Sequence, residues 1–443
     1  MRYCQRCLYP ENHPLNITFD EDGICSGCRV HEEKDRLDWR ERDDKLGKIL
    51  ESFRNQSGRN YDCVIPVSGA RDSYFIVHTV KNVYGLKPLL VTYNKQFNTE
   101  LGVRNLAYLR TLFGCDIMTM TVSPEIVKKV TRVGLQVVGS MYWHCLAGQT
   151  VFPVQIAVRF KIPLIVWGAH QGCDQVGMFS HLDEAEMSRK YRKEHDLMGY
   201  EAEDMIAVSK GLLREKDMGP FIYPHNKEIE KVGARGIYLS NYIRWDSKKQ
   251  HEEMIVHYGY ESHDQTRTFD RYNDVDCYNY SDVHDHVKFL KRGYGKVMDH
   301  ACREIRLRRL TREEGIALVE HYQPREPQHL KQFLNWIGIT KRGFDYLVDQ
   351  HRDQRIWQKD IHQEWHLRDS IVHHKADTGV GKARLDKKEE CHFTRTPHRK
   401  AVAQEQRYII IGRGYVDQDE NQQRKTTASA VPLIRRSEKV KGS

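Results

Sequence analysis

The chain has 443 residues, of which 39% are apolar and 30% charged. That is enough for two or three domains of ~100–200 residues and for a sizeable buried core. No run approaches the ~20 apolar residues of a membrane helix. Met1-Arg2-Tyr3-Cys4 lacks the apolar stretch of a secretory signal, so a soluble, cytoplasmic protein is expected. The net charge of +9 is uneven: residues 371–443 hold sixteen Lys/Arg against nine Asp/Glu, a net +7, which leaves about +2 for the first 370. That balance gives the body of the chain no electrostatic footprint for gripping nucleic acid. Eleven cysteines, an odd number, match a disulfide framework poorly.

The first element, residues 1–35, is a cysteine unit. Cys4-x2-Cys7 and Cys25-x2-Cys28 are separated by seventeen residues, with Gly23 and Gly27 available for tight turns. Two thiolate pairs at this spacing suit tetrahedral zinc (Zn2+), and four thiolates leave no open position, so the site is expected to be structural. The competing reading is two incidental reduced pairs, or a redox pair.

Leu37, Trp39, Leu46, Ile49, Leu50 and Phe53 then form one helical face. Cys63-Val64-Ile65-Pro66-Val67 reads as a strand and Asp72–Tyr84 as a helix. Pro88–Tyr93 is a second strand, Thr99–Phe113 a second helix, and Asp116–Val122 a third strand. Further helical sequence leads to a fourth strand at Ile162–Gly168. Short apolar strands alternating with helices predict an α/β fold with a parallel sheet covered on both faces. Ligands in such sheets sit at the carboxyl ends of the strands, which places Ser68–Ser73, Asn94 and Gly168-Ala169-His170 on one rim. The strand signal fades from about Met178, and residues 180–350 read as mainly helical. The expected division is a cysteine unit (1–35), an ATP-binding α/β domain (36–215), a mainly helical lobe (216–370) and a basic extension (371–443). One strand is expected in that extension, at Tyr408–Ile411.

Ser68-Gly69-Ala70-Arg71-Asp72-Ser73 lies between a strand and a helix. Small residues let the backbone approach an anion, and exposed N–H groups and a helix N-terminus stabilise its charge. Ser68 and Ser73 add hydroxyls, and Arg71 adds a charged donor. Asp72 can hold magnesium (Mg2+) against phosphates, or cap the helix. The bland reading is an ordinary strand-to-helix turn. No Gly-Lys-Ser/Thr follows, so this is not a Walker loop. The hexapeptide resembles the PP-loop signature, Ser-Gly-Gly-x-Asp-Ser, of the ATP pyrophosphatase superfamily. The departure is Ala70, and alanine costs about 1 kcal/mol or more if that position needs positive φ.

Further stretches resemble one branch of that superfamily, the N-acetyl sugar amidotransferases. They include Tyr3-Cys4-x-x-Cys7 with Pro10, Phe19-Asp20-x-x-Gly23-x-Cys25-x-x-Cys28, Asn98–Val103 with Asn105, and Met141-Tyr142-Trp143-His144-Cys145. Ile162–Gly168, Gly177–Ser180, Glu194-His195, Gly199-Tyr200 and Asp204-Met205 follow. Then come His284-Asp285, Lys288–Gly295, Asp299-His300-Ala301, Arg303-x-x-Arg306 and Thr311–Gly315. The resemblance spans roughly residues 1–360, departs at Ala169, where an acid is usual, and leaves the tail from about 371 without a counterpart. It implies a PP-loop (HUP-like) domain that binds ATP through Ser68–Ser73, Asn94 and Gly168, with an N-terminal zinc ribbon and a helical lobe. The implied reaction turns an acetamido group of a bacterial surface sugar, such as an O-antigen or pseudaminic acid precursor, into acetamidino. An O-adenylated imidate forms as pyrophosphate leaves, and ammonia then displaces AMP.

Residue 2 is Arg and no Gly-x-Cys-x-Gly elbow is present, so ammonia is expected from a glutaminase partner with a cyclase-like barrel protein, as in histidine synthesis. Asp72, Arg71 and His144 are the candidate catalytic residues. Asp299, His300, Arg303 and Arg306 form a helical stripe that could grip the sugar or phosphates, or be a solvated face. Asp174 and Glu186 are weaker candidates for proton or metal chemistry. Cys145 with Cys277, His284 or His286 could form a second metal site, although ordinary packing explains them as well. Two other functions stay open: a PP-loop tRNA thiolation enzyme, which the basic tail favours, and a nucleotide-binding scaffold without activity, which Ala70 and Ala169 favour.

Overall fold

A computed structural model describes residues 1–70 and 72–377. Arg71 and the expected strand at Tyr408–Ile411 lie outside the described residues. The centre is a five-stranded parallel sheet of β1 (Cys63–Pro66), β2 (Pro88–Tyr93), β3 (Ile117–Met120), β4 (Leu164–Trp167) and β5 (Arg235–Tyr238), in the order β3-β2-β1-β4-β5. Successive residues of a strand point to opposite faces, and here both faces are buried. Cys63, Ile65, Leu90, Leu164, Val166 and Ile237 enter one core, while Val64, Leu89, Val91 and Ile165 enter another. This is why β1, β2 and β4 read as continuous apolar runs rather than alternating ones. Each buried Val, Leu or Ile contributes ~1.5–3 kcal/mol.

Helices Trp39–Ser52, Glu100–Leu112 and Ser247–Tyr258 cover the first face through Leu46, Leu50, Leu109 and Met254. Asp38 and Thr99 cap the first two by accepting from backbone N–H groups in their first turns. Helix Trp143–Phe160 covers the second face with Val151, Val154 and Ala157. Gly148 lets this helix lie against β2, because a Cβ there would sit 2.3 Å from the Tyr93 ring.

The four expected strands are present, the first, third and fourth trimmed to Cys63–Pro66, Ile117–Met120 and Leu164–Trp167. The expected helix over 72–84 is an α-helical turn at Ser73–Val77 that widens into π-helical turns at His78–Val83. β5 was not anticipated. Arg235-Gly236-Ile237-Tyr238 carries no apolar run; it becomes a strand by pairing with β4 along its whole length. Gly236 is required there, since a Cβ would meet that of Met187 at 2.7 Å.

The C-terminal region is built from helices Tyr278–Arg292, Lys296–Arg306, Arg312–Tyr322, Leu330–Ile337 and Lys341–Asp349. A hairpin of β6 (Trp357–Lys359) and β7 (Trp365–Leu367) follows. The cysteine unit shares its core with these helices: Cys4, Cys7, Leu8 and Tyr9 pack with Val297, Ala301, Cys302 and Ile305. The first segment therefore packs against helix Lys296–Arg306. Among the described residues, no helix is long and apolar enough to cross a membrane.

Candidate active site

The strand order reverses between β1 and β4, which pair in parallel with their successors on opposite sides. The crevice at the carboxyl ends of two such strands is where ligands sit in open α/β sheets. The loop after β1 and the loop after β4 flank it. Gly69 has φ 77°, and a Cβ on it would lie 2.6 Å from the Gly102 carbonyl oxygen, so glycine is obligatory at that corner. Ala70 is not among the residues of positive φ, so alanine carries no left-handed strain at that position. The loop is held closed by its own hydroxyls. Ser73 Oγ accepts from Ser68 N at 3.1 Å and donates to the Ala70 carbonyl at 2.9 Å, while Ser68 Oγ accepts from Ala70 N at 3.3 Å.

A cavity of about 310 Å³ opens at this rim. Asp72 and Ala169 line it on the sheet side. Asp299, His300, Arg303 and Arg306, from helix Lys296–Arg306, line it too, so the structure brings the expected stripe and Asp72 to one space. Gly168 precedes Ala169 at a tight place, where a Cβ would press on Ile76 at 3.0 Å and Trp245 at 3.2 Å. Asn94 does not line the cavity. It joins the loops after β2 and β3, with Nδ2 donating to Thr121 Oγ1 at 3.3 Å and Oδ1 accepting from Gln96 N at 2.8 Å. Arg71 is outside the described residues.

His144 is placed in the core rather than the cavity. It is fully buried, with Nδ1 3.1 Å from the Tyr93 hydroxyl and Nε2 2.8 Å from the Tyr280 hydroxyl, and burial pushes its imidazole down to about 3. Cys145 and Cys277 share an apolar cluster with Tyr142 and Tyr280. Among the described residues no metal-binding grouping includes either cysteine, His284 or His286. Glu186 is tied to Arg235 of β5 at 2.8 Å. Asp174 lines the cavity and is ion-paired with Lys34, whose ammonium, despite the burial, keeps the carboxyl below its ordinary range.

The far wall is held rigidly. Asp299 accepts from the Tyr9 hydroxyl at 3.0 Å and from Lys288 at 2.5 Å. His300 Nδ1 meets Thr268 Oγ1 at 2.6 Å. Arg303 donates to Asp270 at 2.6 Å and Glu304 at 2.8 Å. Arg309 ties Glu304 to Asp246 with two 2.6 Å bonds. Buried charges in this arrangement are paired and hydrogen-bonded, which meets the condition under which they are tolerated. Lys34, Asp246, Asp274, His284 and Lys296 also line the cavity and were not assigned to it from the sequence. They come from five separate segments whose meeting only tertiary structure fixes.

The four cysteines Cys4, Cys7, Cys25 and Cys28 form the expected grouping, all buried and with sulfurs within 4.8 Å of one another. A zinc ion with Zn–S bonds of ~2.3 Å needs S–S edges of ~3.8 Å. Cys7 and Cys25 are 3.6 Å apart, Cys4 and Cys28 4.0 Å. Backbone N–H groups of Arg6, Cys7 and Cys25 donate to Cys4 Sγ at 3.4, 3.4 and 3.3 Å. Burial pushes the thiols of Cys7 and Cys28 up, a penalty that a bound divalent cation removes. The residues fit zinc. Arg306 joins this centre to the cavity: Nη2 lies 3.5 Å from Cys25 Sγ, and Nη1 donates to the Gln175 carbonyl at 2.6 Å.

No curated protein matches the chain. Residues 266–371 match the family model described as LPS biosynthesis protein WbpG-like, C-terminal domain. The segment that carries Asp299, His300, Arg303 and Arg306 is thus similar to the C-terminal domain of proteins of lipopolysaccharide biosynthesis.

Proposed function

We propose that this chain is an ATP-dependent amidotransferase that converts an acetamido group of a bacterial surface sugar to acetamidino. The observation that carries the reading is the single cavity with Asp72 and Ala169 on one wall and the stripe of the WbpG-like segment on another. Nucleotide and sugar would meet there. The Gly69 corner, packed against the Gly102 carbonyl, fixes the backbone that would meet phosphate oxygens. Asp72 would hold magnesium, which when bound offsets charge developing on the departing pyrophosphate.

An amide carbonyl is a poor electrophile. Attack of its oxygen on the α-phosphorus of ATP expels pyrophosphate and leaves a carbon that ammonia can attack, with AMP departing. The chain's part is positioning: the loop orients the triphosphate, and Asp299, His300 and Arg303, each already fixed by partners, orient the sugar. Effective molarity from such fixed geometry supplies much of the acceleration, and no enzyme nucleophile is needed. Ammonia would come from a glutaminase partner through a cyclase-like barrel protein.

The test is release of AMP and pyrophosphate with ammonium chloride and a panel of N-acetylated sugars, free and nucleotide-linked. Turnover with ammonium but not with glutamine alone, abolished in Asp72→Ala, supports the reading. Absence of AMP with every sugar overturns it, and salt-sensitive tRNA binding in its place would favour thiolation.

A further inference from the structure

Several titratable side chains that line the cavity are left unused by the account above, His31, Asp274 and His284 among them. His284 lies on helix Tyr278–Arg292 and lines the cavity; its ring stacks on Tyr142, which also lines it, at 4.7 Å and 26°. Its Nδ1 is buried without a hydrogen-bond partner. His144 and His300, by contrast, are each bonded to hydroxyl groups. A buried ring nitrogen with no bonded partner costs free energy unless a ligand satisfies it.

We propose that His284 is a catalytic acid–base residue of this cavity, exchanging a proton with the nitrogen of the substrate's acetamido group; the assignment rests on the amidotransferase reading. The charged groups facing it are Asp285, Lys288 and Lys291 of its own helix and Asp274 of the preceding segment, with Tyr142 on its ring face. Burial in the cavity wall pushes the imidazole down to about 4, so at neutral pH it is uncharged and its lone pair is available.

As the acetamido oxygen bonds to the α-phosphorus of ATP, the bond from phosphorus to the bridging oxygen breaks and pyrophosphate leaves. The amide N–H becomes acidic, its proton passes to His284, and its electron pair forms the C=N bond of the imidate. The imidazolium then returns that proton to the same nitrogen, which makes the carbon a better electrophile. Ammonia adds to the carbon, the surplus ammonia proton passes to water, and the C–O bond to AMP breaks. The product is the acetamidinium cation, and His284 is neutral again.

The experiment is steady-state AMP release by the full chain, with ammonium chloride and the most active N-acetylated sugar, for the unaltered protein, His284→Gln and His284→Ala. Both variants are expected to lose ~10²–10⁴-fold in kcat, to keep their KM for ATP, and to lose the acid limb of the pH–rate profile. Added imidazole should restore His284→Ala in part, which a merely structural role would not allow. If either variant folds, by its thermal melt, and keeps kcat within about threefold of the unaltered protein, His284 is not the proton-transfer group. If the unaltered protein makes no AMP from any sugar, the amidotransferase reading has failed and the assignment falls with it. Activity in the unaltered protein and both variants alike overturns His284 alone.

Discussion

Replacing Arg306 with methionine keeps the side chain's bulk and removes its charge and donors. The guanidinium is almost wholly buried. It donates to the carbonyls of Gln175 at 2.6 Å and Asp174 at 3.3 Å, approaches Cys25 and Cys7 sulfurs at 3.5 and 3.9 Å, and lies 5.2 Å over the Tyr9 ring. Four thiolates around one zinc leave an excess negative charge, and Arg306 is the cation in contact with it. In Arg306→Met the two carbonyls lose their donor, at ~1–3 kcal/mol for each group left unsatisfied. Breaking a buried charge pair costs ~3–5 kcal/mol. The two effects share the same atoms and do not add, so the expected loss is ~3–5 kcal/mol. Urea unfolding of the zinc-loaded proteins measures it, and a chromophoric chelator should draw zinc faster from the variant. A stability change under about 1 kcal/mol with unchanged zinc release would refute the coupling of metal centre, Arg306 and cavity wall.

Gly69→Ala should abolish AMP formation, because φ 77° and the 2.6 Å approach to the Gly102 carbonyl forbid a side chain. Ala70→Gly should leave it within a few-fold, because Ala70 is not in the positive-φ region; equal losses in the two would contradict the loop geometry. The purified protein should hold about one zinc per chain, and its removal should destabilise the C-terminal helices as well as the cysteine unit, since they share a core; hydrogen exchange confined to residues 1–35 would contradict this. Burial pushes His13, His144 and His286 down to about 3, and His170, His181 and His284 to about 4. The unfolded chain therefore binds more protons below its own histidine pKa of ~6.5. Stability should be fully present above that pH and fall steadily as the pH drops through about 4; a urea midpoint that stays flat from pH 7 to pH 4.5 would refute these burials.

How far the chain could be read in advance follows from the range of the interactions. β1, β2 and β4 are apolar on both faces, so each is visible as a local run. The cysteine quartet is visible because its ligands come in two local pairs. β5 depends on β4 for its hydrogen bonds and on Gly236 to clear Met187, neither of which leaves a local mark. His144 sits beside a cysteine in a motif-like run, yet its partners are Tyr93 and Tyr280, both distant in sequence. The stripe from Asp299 to Arg306 shows as helical spacing, but its setting in one cavity with Asp72 depends on its helix sharing a core with the distant cysteine unit. The question posed by Ala70 turned on a single dihedral angle, which composition cannot supply.

The central claim is that Asp72 and the Asp299–Arg306 stripe serve one reaction in one cavity. It is tested most directly by following AMP and pyrophosphate release, with ammonium chloride and N-acetylated sugars, in the unaltered chain, Asp72→Ala and Asp299→Asn. The account predicts sugar-dependent AMP formation that disappears in Asp72→Ala and shows a raised KM for sugar, with KM for ATP unchanged, in Asp299→Asn. AMP formation that needs no sugar, or a sugar KM indifferent to Asp299, would contradict it.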